Sequence, residues 1–119
     1  MRKTFIILLL LSLSISMVKA QTFPQRENTH RLMSFNIQHG EGMDQKIDIE
    51  RIGNVILNVA PEVVGLQEVD SMVNRSGNID IMQLLAEQTG MYPTFGYSIL
   101  HDGGKYGNGM LTREKPLAT

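Results

Sequence analysis

Pro61-Glu62-Val63-Val64-Gly65-Leu66-Gln67-Glu68-Val69-Asp70 decides the fold. Residues 63–66 form a short apolar run that reads as a buried strand, and its carboxyl end carries Glu68 and Asp70. Just upstream, Ile49, Ile52, Val55, Ile56 and Val59 recur at helical spacing, with Asp48 placed as an N-cap and Pro61 as the stop. Further upstream, residues 31–37 alternate Leu32, Ser34 and Asn36 against Met33, Phe35 and Ile37, which predicts a strand. Residues 38–46, with Gly40 and Gly42, are a loop. Downstream, residues 71–78 are a polar loop, and residues 80–89 a second helix with Ile81, Leu84 and Leu85 inward and Gly90 just past its end. A strand over residues 92–100 has Pro93 near its start, a Gly-rich loop covers 101–107, and residues 108–112 form another strand. Glu114-Lys115-Pro116 then turns the chain. The β-α-β-α-β-β order mixes parallel and antiparallel strands, an α+β layout.

The chain has 119 residues, a formal charge of −1 and no cysteine. Arg2 and Lys3 open it, residues 5–18 are almost wholly apolar, and Ala20 precedes Gln21, the pattern of a signal peptide over residues 1–20. The apolar run, broken by Ser12, Ser14 and Ser16, is shorter than the roughly 20 residues a spanning helix needs, so no stable membrane span is expected. Removing Arg2, Lys3 and Lys19 with the leader takes the charge from −1 to −4. That balance argues against a general nucleic-acid coat, which needs clustered cations. The absence of cysteine excludes a disulfide framework, a thiolate zinc site and lipoprotein acylation. The expected destination is the periplasm or the extracellular space. Residues 21–30, polar and containing Pro24, read as a flexible lead-in before a domain over 31–119.

Asn36 and Glu68 end two predicted strands of one βαβ unit. Ligands of such sheets collect at the carboxyl ends of strands. An amide carbonyl and a carboxylate are hard oxygen donors, suited to Mg²⁺, Mn²⁺ or Ca²⁺. Taken singly, Asn36 would start a loop and Glu68 would be a solvated strand end; their joint placement argues for a site. Gly103-Gly104-Lys105 lacks the spacing of a phosphate loop and reads as a Gly-rich hairpin.

Four segments, in this order, resemble the endonuclease/exonuclease/phosphatase superfamily: Ser34-Phe35-Asn36-Ile37, Asp48-Ile49-Glu50-Arg51-Ile52, the block 61–70 quoted above, and Tyr106-Gly107-Asn108-Gly109-Met110-Leu111-Thr112-Arg113 with the following Glu114-Lys115-Pro116. The Leu-Gln-Glu block at the end of a buried strand is the most specific of them. The resemblance spans residues 31–117 and implies the N-terminal half of a four-layer α/β/β/α sandwich, truncated in this chain. It implies a metal-dependent phosphoesterase acting on a phosphodiester or a phosphomonoester. Nucleic acid, sphingolipid, sugar phosphate and inositol phosphate all remain open as substrates, and the acidic balance disfavours long duplex DNA.

The resemblance also implies roles. Glu68 would bind the metal directly, and Asn36 would ligate or orient the metal and the scissile phosphate. Gln67 would hold the loop. Arg75 would pair with a phosphate oxygen, unless it is only a solvated loop cation. Tyr106 would donate its hydroxyl to the phosphate, unless it is only a hairpin aromatic, with Asn108 beside it. His39 sits at the strand mouth, where it could touch substrate. The family's catalytic histidine, Asp-x-Asn element and closing Asp-His pair have no counterpart here, because His30, His39 and His101 sit in no such motif. Two expectations follow: a fragment without turnover of its own, or a non-catalytic metal- or phosphate-binding module. In either case a sheet face left uncovered is expected to favour self-association.

Overall fold

The computed structural model describes residues 26–118; the expected leader and residues 21–25 of the lead-in lie outside the described residues. The elements are β1 (Leu32–Asn36), α1 (Ile49–Val59), β2 (Val63–Ser71), α2 (Ile81–Thr89), β3 (Tyr92–His101) and β4 (Gly104–Thr112), with short 3-10 turns at Gln38–Gly40 and Asn74–Ser76. This is the expected β-α-β-α-β-β order, an α+β fold. Among the described residues no helix is long and apolar enough to cross a membrane.

Both helices are set by their ends. The Asp48 carboxylate accepts the Arg51 N–H at 2.9 Å, and Ala60 closes α1 in the left-handed region just before Pro61. Asp80 accepts the Gln83 N–H at 3.0 Å, and Gly90, with φ 70, closes α2. The helices meet where α1 has no side chain. A Cβ on Gly53 would strike the Gln88 amide, whose Nε2 donates to the Glu50 carbonyl at 2.9 Å and to Asn54 at 3.1 Å.

The four strands form one sheet in the order β1-β2-β4-β3. β1 and β2 are parallel, and the other two pairings are antiparallel. The register makes alternating rows across the sheet. Met33-Val64-Leu111-Pro93 and Phe35-Leu66-Gly109-Phe95 lie on the helix-covered face. Val64, Leu66 and Leu111 are fully buried there against Ile52, Ile56, Ile81, Met82 and Leu85. The intervening rows, Leu32-Val63-Thr112-Tyr92 and Ser34-Gly65-Met110-Thr94, lie on the opposite face, which no described element covers. One sheet and its helical layer are thus present.

Three readings of the sequence need correction. Leu84 faces outward and Met82 takes its place in the core, because α2 turns its Ile81, Met82 and Leu85 edge to the sheet. Residues 101–107 are mostly strand: Asp102 and Gly103, with φ 40 and 86, make a two-residue turn between the paired His101 and Gly104. β2 carries Glu68 and Asp70 as expected but runs one residue into the expected polar loop, to Ser71, across an irregularity between Leu66 and Val69. That irregularity builds the site.

Candidate active site

Asn36 pairs with Gln67 in the parallel register, so the last residue of β1 stands beside the residue before Glu68. The Ile37 N–H donates to the Gln67 carbonyl at 3.1 Å and carries the pairing one step further. On its other side β2 pairs Leu66 with Gly109 and resumes with Val69 opposite Gly107. Two residues, Gln67 and Glu68, therefore oppose the single Asn108, which is a β-bulge. Glu68 takes the strain, with φ 59, a left-handed conformation that costs a residue with a Cβ about 1–2 kcal/mol.

The bulge delivers the Glu68 side chain to Asn36, whose Nδ2 donates to Glu68 Oε1 at 2.8 Å. Asn36 Oδ1 accepts the Gln38 N–H at 3.0 Å, so both ends of the amide are fixed. The same bond anchors a turn in which Gln38, His39 and Gly40 all have positive φ, of 46, 46 and 88. Glu68 Oε2 has no hydrogen-bond partner among the described residues. Gln67 does not hold the loop through its side chain. Its Nε2 donates to the Gly65 carbonyl at 3.3 Å, and its Oε1 lies 3.5 Å from the Ser34 hydroxyl, over the uncovered sheet face.

The turn places His39 largely buried, with Nε2 and Glu41 Oε2 3.0 Å apart. A carboxylate only accepts, so Nε2 carries the hydrogen in this contact.

Asp70 is fully buried. Its carboxylate accepts Arg75 Nε–H and Nη2–H, both at 2.8 Å, and the Ser76 hydroxyl at 3.0 Å. Burial pushes its pKa up, but the hydrogen bonds from Arg75 and Ser76, with the charges of Arg75 and His39, outweigh that and hold the carboxyl below the usual range. The same bond from Asp70 holds the Arg75 guanidinium protonated more firmly still, and the nearby charge of Glu68 adds to the effect. The Arg75 guanidinium carbon stands 5.3 Å from the centre of the Tyr106 ring, a cation–π contact. Tyr106 in turn meets His101 edge-on, centroids 6.4 Å apart.

The structure thus joins Asn36 to Glu68 directly and Arg75 to Tyr106 directly. Asn108 stands exposed opposite the bulge, and His39 lies on the first loop. Sequence reasoning missed Asp70 as the partner of Arg75, and it missed Ser76. It took Asp70 only as a carboxylate at the strand end, although an acid that continues a buried strand needs a cation or a donor within reach. Among the described residues no group of three or more His, Cys, Asp and Glu side chains could hold a metal. Asn36 and Glu68 nevertheless fit a Mg²⁺-class ion, which is commonly bound through one or two protein oxygens with water and substrate phosphate filling the remaining positions. A cavity of about 150 Å³ lined by Ile56, Ala60, Gly90 and Arg113 opens at the C-terminal ends of both helices, away from these residues, and offers no carboxylate.

The polar groups of the candidate site are thus oxygen donors at two strand ends and an arginine–tyrosine pair on the adjoining turn and strand. The chain belongs to the Endonuclease/Exonuclease/phosphatase family, whose pattern matches residues 33–119. Among solved structures it is similar to an endonuclease/exonuclease/phosphatase from Beutenbergia cavernae DSM 12333, at 24% identity and TM-score 0.59, over 76% of this chain and 27% of that one. It is also similar to an endonuclease/exonuclease/phosphatase family protein from Leptotrichia buccalis C-1013-b, at 20% identity and TM-score 0.59, over 76% of this chain and 40% of that one. These likenesses establish the fold, and the chain spans well under half the length of either protein. No curated protein sequence matches it.

Proposed function

We propose that the protein is an exported, divalent-metal-dependent phosphoesterase, and that this chain supplies the metal-holding and phosphate-binding edge of its active site. The observation that carries the reading is the Asn36–Glu68 pair, held at 2.8 Å at the carboxyl end of two parallel strands with Glu68 at φ 59. A carboxylate kept in a costly conformation at that edge is the mark of a working group.

Glu68 would hold Mg²⁺, Mn²⁺ or Ca²⁺ through Oε2, and Asn36 would fix the carboxylate and offer its own Oδ1. The ion, when bound, supplies charge neutralisation to phosphoryl oxygens. Arg75 offers a full positive charge to a phosphate oxygen and Tyr106 its hydroxyl. Asn108 and His39 flank the same edge. The ligand is a phosphate ester, and nucleic acid, sphingolipid, sugar phosphate and inositol phosphate share the chemistry these groups recognise. The uncovered sheet face is the surface through which the isolated chain would self-associate.

Turnover needs a base to activate water, and none of the chain's histidines sits in the family's catalytic motif. His39 Nε2 is committed to Glu41, and His30 Nδ1 lies 2.6 Å from Glu62. The chain by itself is therefore expected to bind metal without hydrolysing ester. A module that binds metal or phosphate and never turns over is the second reading, and the missing motifs favour it equally.

Calorimetric titration with Mg²⁺ tests the site. Binding by the chain should vanish in Glu68→Gln while the circular dichroism spectrum stays unchanged. Equal binding by the variant would remove Glu68 from the metal site. Hydrolysis of a chromogenic phosphodiester by the chain alone, abolished by EDTA, would refute the expected inactivity. In a protein carrying the whole catalytic set, Glu68→Gln should lower kcat about 10²–10³-fold, and the non-catalytic reading predicts no kcat to lose.

A further inference from the structure

Asp70 is closed off from solvent and is the most completely buried charge near the site. A carboxylate taken out of water is costly even when paired, and an apolar side chain would fill the same space. Its contacts show what it does. Arg75 Nε and Nη2 both donate to it at 2.8 Å, a two-point bond that fixes the plane of the guanidinium. We propose that Asp70 is a positioning residue: with Ser76 it locks Arg75 so that the remaining guanidinium nitrogen, Nη1, is presented beside Tyr106 as the edge that receives a phosphate oxygen. The inference rests on the phosphoesterase reading of the site and deepens it.

Nη1 has no hydrogen-bond partner among the described residues, and the Arg75 side chain keeps 35% exposure. Tyr106 is the cross-strand partner of Asp70, so the ring against Arg75 stands on the strand next to the anchor. The backbone beneath Arg75 is tied as well. Ser76 Oγ also lies 3.2 Å from the Val73 carbonyl, which shares the one hydroxyl hydrogen with Asp70. Asn74 is held to Asp102 through both its backbone N–H and its side chain, each at 3.1 Å. A free arginine would lose side-chain freedom on grasping an anion, whereas this one has lost it on folding. The negative charge of Asp70 is already spent on Nε and Nη2, and Nη1 remains for a ligand.

Inorganic phosphate titrated into the chain in the presence of Mg²⁺, followed by NMR, tests the lock. In Asp70→Asn the Arg75 Nε–H signal should lose its protection from exchange, and phosphate affinity should fall about tenfold, the size of one charge-assisted contact, while Mg²⁺ affinity stays unchanged. Arg75→Lys should lose as much, and the Asp70→Asn/Arg75→Lys double variant no more than Arg75→Lys alone, because the two residues act as one unit. Ser76→Ala should lose about threefold, less than Asp70→Asn, since one hydrogen bond to the anchor goes while its two-point bond to Arg75 stays. A folded Asp70→Asn with wild-type phosphate affinity, or additive losses in the double variant, overturns the inference. Should Asp70→Asn fail to fold, unchanged affinity in Ser76→Ala overturns it. Wild-type chain that binds Mg²⁺ but no phosphate also overturns it. Phosphate affinity that depends on Asp70 in a chain that binds no Mg²⁺ upholds the lock and removes the metal reading instead.

Discussion

Glu68 shows how a single residue can set conformation against chemistry. Its left-handed φ of 59 is one that glycine adopts freely and glutamate does not. The strain can be isolated by comparing two variants that both remove the carboxylate and its bond to Asn36. Glu68→Gly should be more stable than Glu68→Ala by about 1 kcal/mol in urea unfolding, the reverse of the ordinary order within a strand. Equal stabilities, or a more stable alanine variant, would show that the bulge carries no strain. Asn36 offers a second comparison. In Asn36→Asp the donor to Glu68 Oε1 becomes a second carboxylate. The metal-free protein should lose about 1 kcal/mol, a hydrogen bond exchanged for repulsion, and Mg²⁺ should bind more tightly because two anions now face it. A variant with unchanged stability and unchanged Mg²⁺ affinity would place Asn36 outside the site.

At the scale of elements, β4 depends on residues without side chains. A Cβ on Gly107 would press on the Gly96 carbonyl and come within 2.7 Å of Tyr97 Cα in β3, both of them backbone. Neither can rotate away, so Gly107→Ala should cost about 2 kcal/mol and be read as a lower urea midpoint with an unchanged slope. A neutral effect would mean that the two strands separate there more easily than their register implies. The sequence made the element order legible because each helix carries its own cap and stop, Asp48 with Pro61 and Asp80 with Gly90. It made Asn36 and Glu68 legible as strand-end residues, since a parallel pair joined by one helix must bring those ends to the same edge. The bulge was not legible. Gln67-Glu68 contains no glycine to announce a left-handed residue, and only the offset pairing with β4 reveals it. The hairpin was hidden differently: the glycines at 103, 104, 107 and 109 look like a loop, while Asp102-Gly103 is the turn, Gly104 and Gly107 lie against neighbouring backbone, and Gly109 makes room for the Met82 side chain of α2. The Asp70–Arg75 pair depends on the 3-10 turn at Asn74–Ser76 folding back on β2, and such a contact leaves no periodic signal.

For the whole molecule, the two faces of the sheet have different fates. The helix-covered rows place Val64, Leu66 and Leu111 entirely out of water. On the other face Leu32 keeps 72% of its surface exposed, Met110 46% and Tyr92 44%, and Val63 joins them in the same rows. Ser34, Thr94, Thr112 and Gln67 lie among these side chains, so the face is mixed rather than uniformly apolar. Each large apolar group left in water forgoes about 1.5–3 kcal/mol. Against a domain stability of about 5–15 kcal/mol, three or four such groups decide whether the chain stands alone. The isolated chain is therefore expected to bind the dye ANS and to associate with a second copy as concentration rises, in sedimentation velocity or light scattering. Leu32→Ser combined with Met110→Thr should weaken both signals, because these positions lie in neighbouring rows of the uncovered face. The same substitutions should leave Mg²⁺ binding at Glu68 unchanged, since the metal-holding pair stands at the strand ends. A wild-type chain that stays monomeric, unfolds cooperatively and binds no ANS would show that the polar residues of this face are enough to keep it in water.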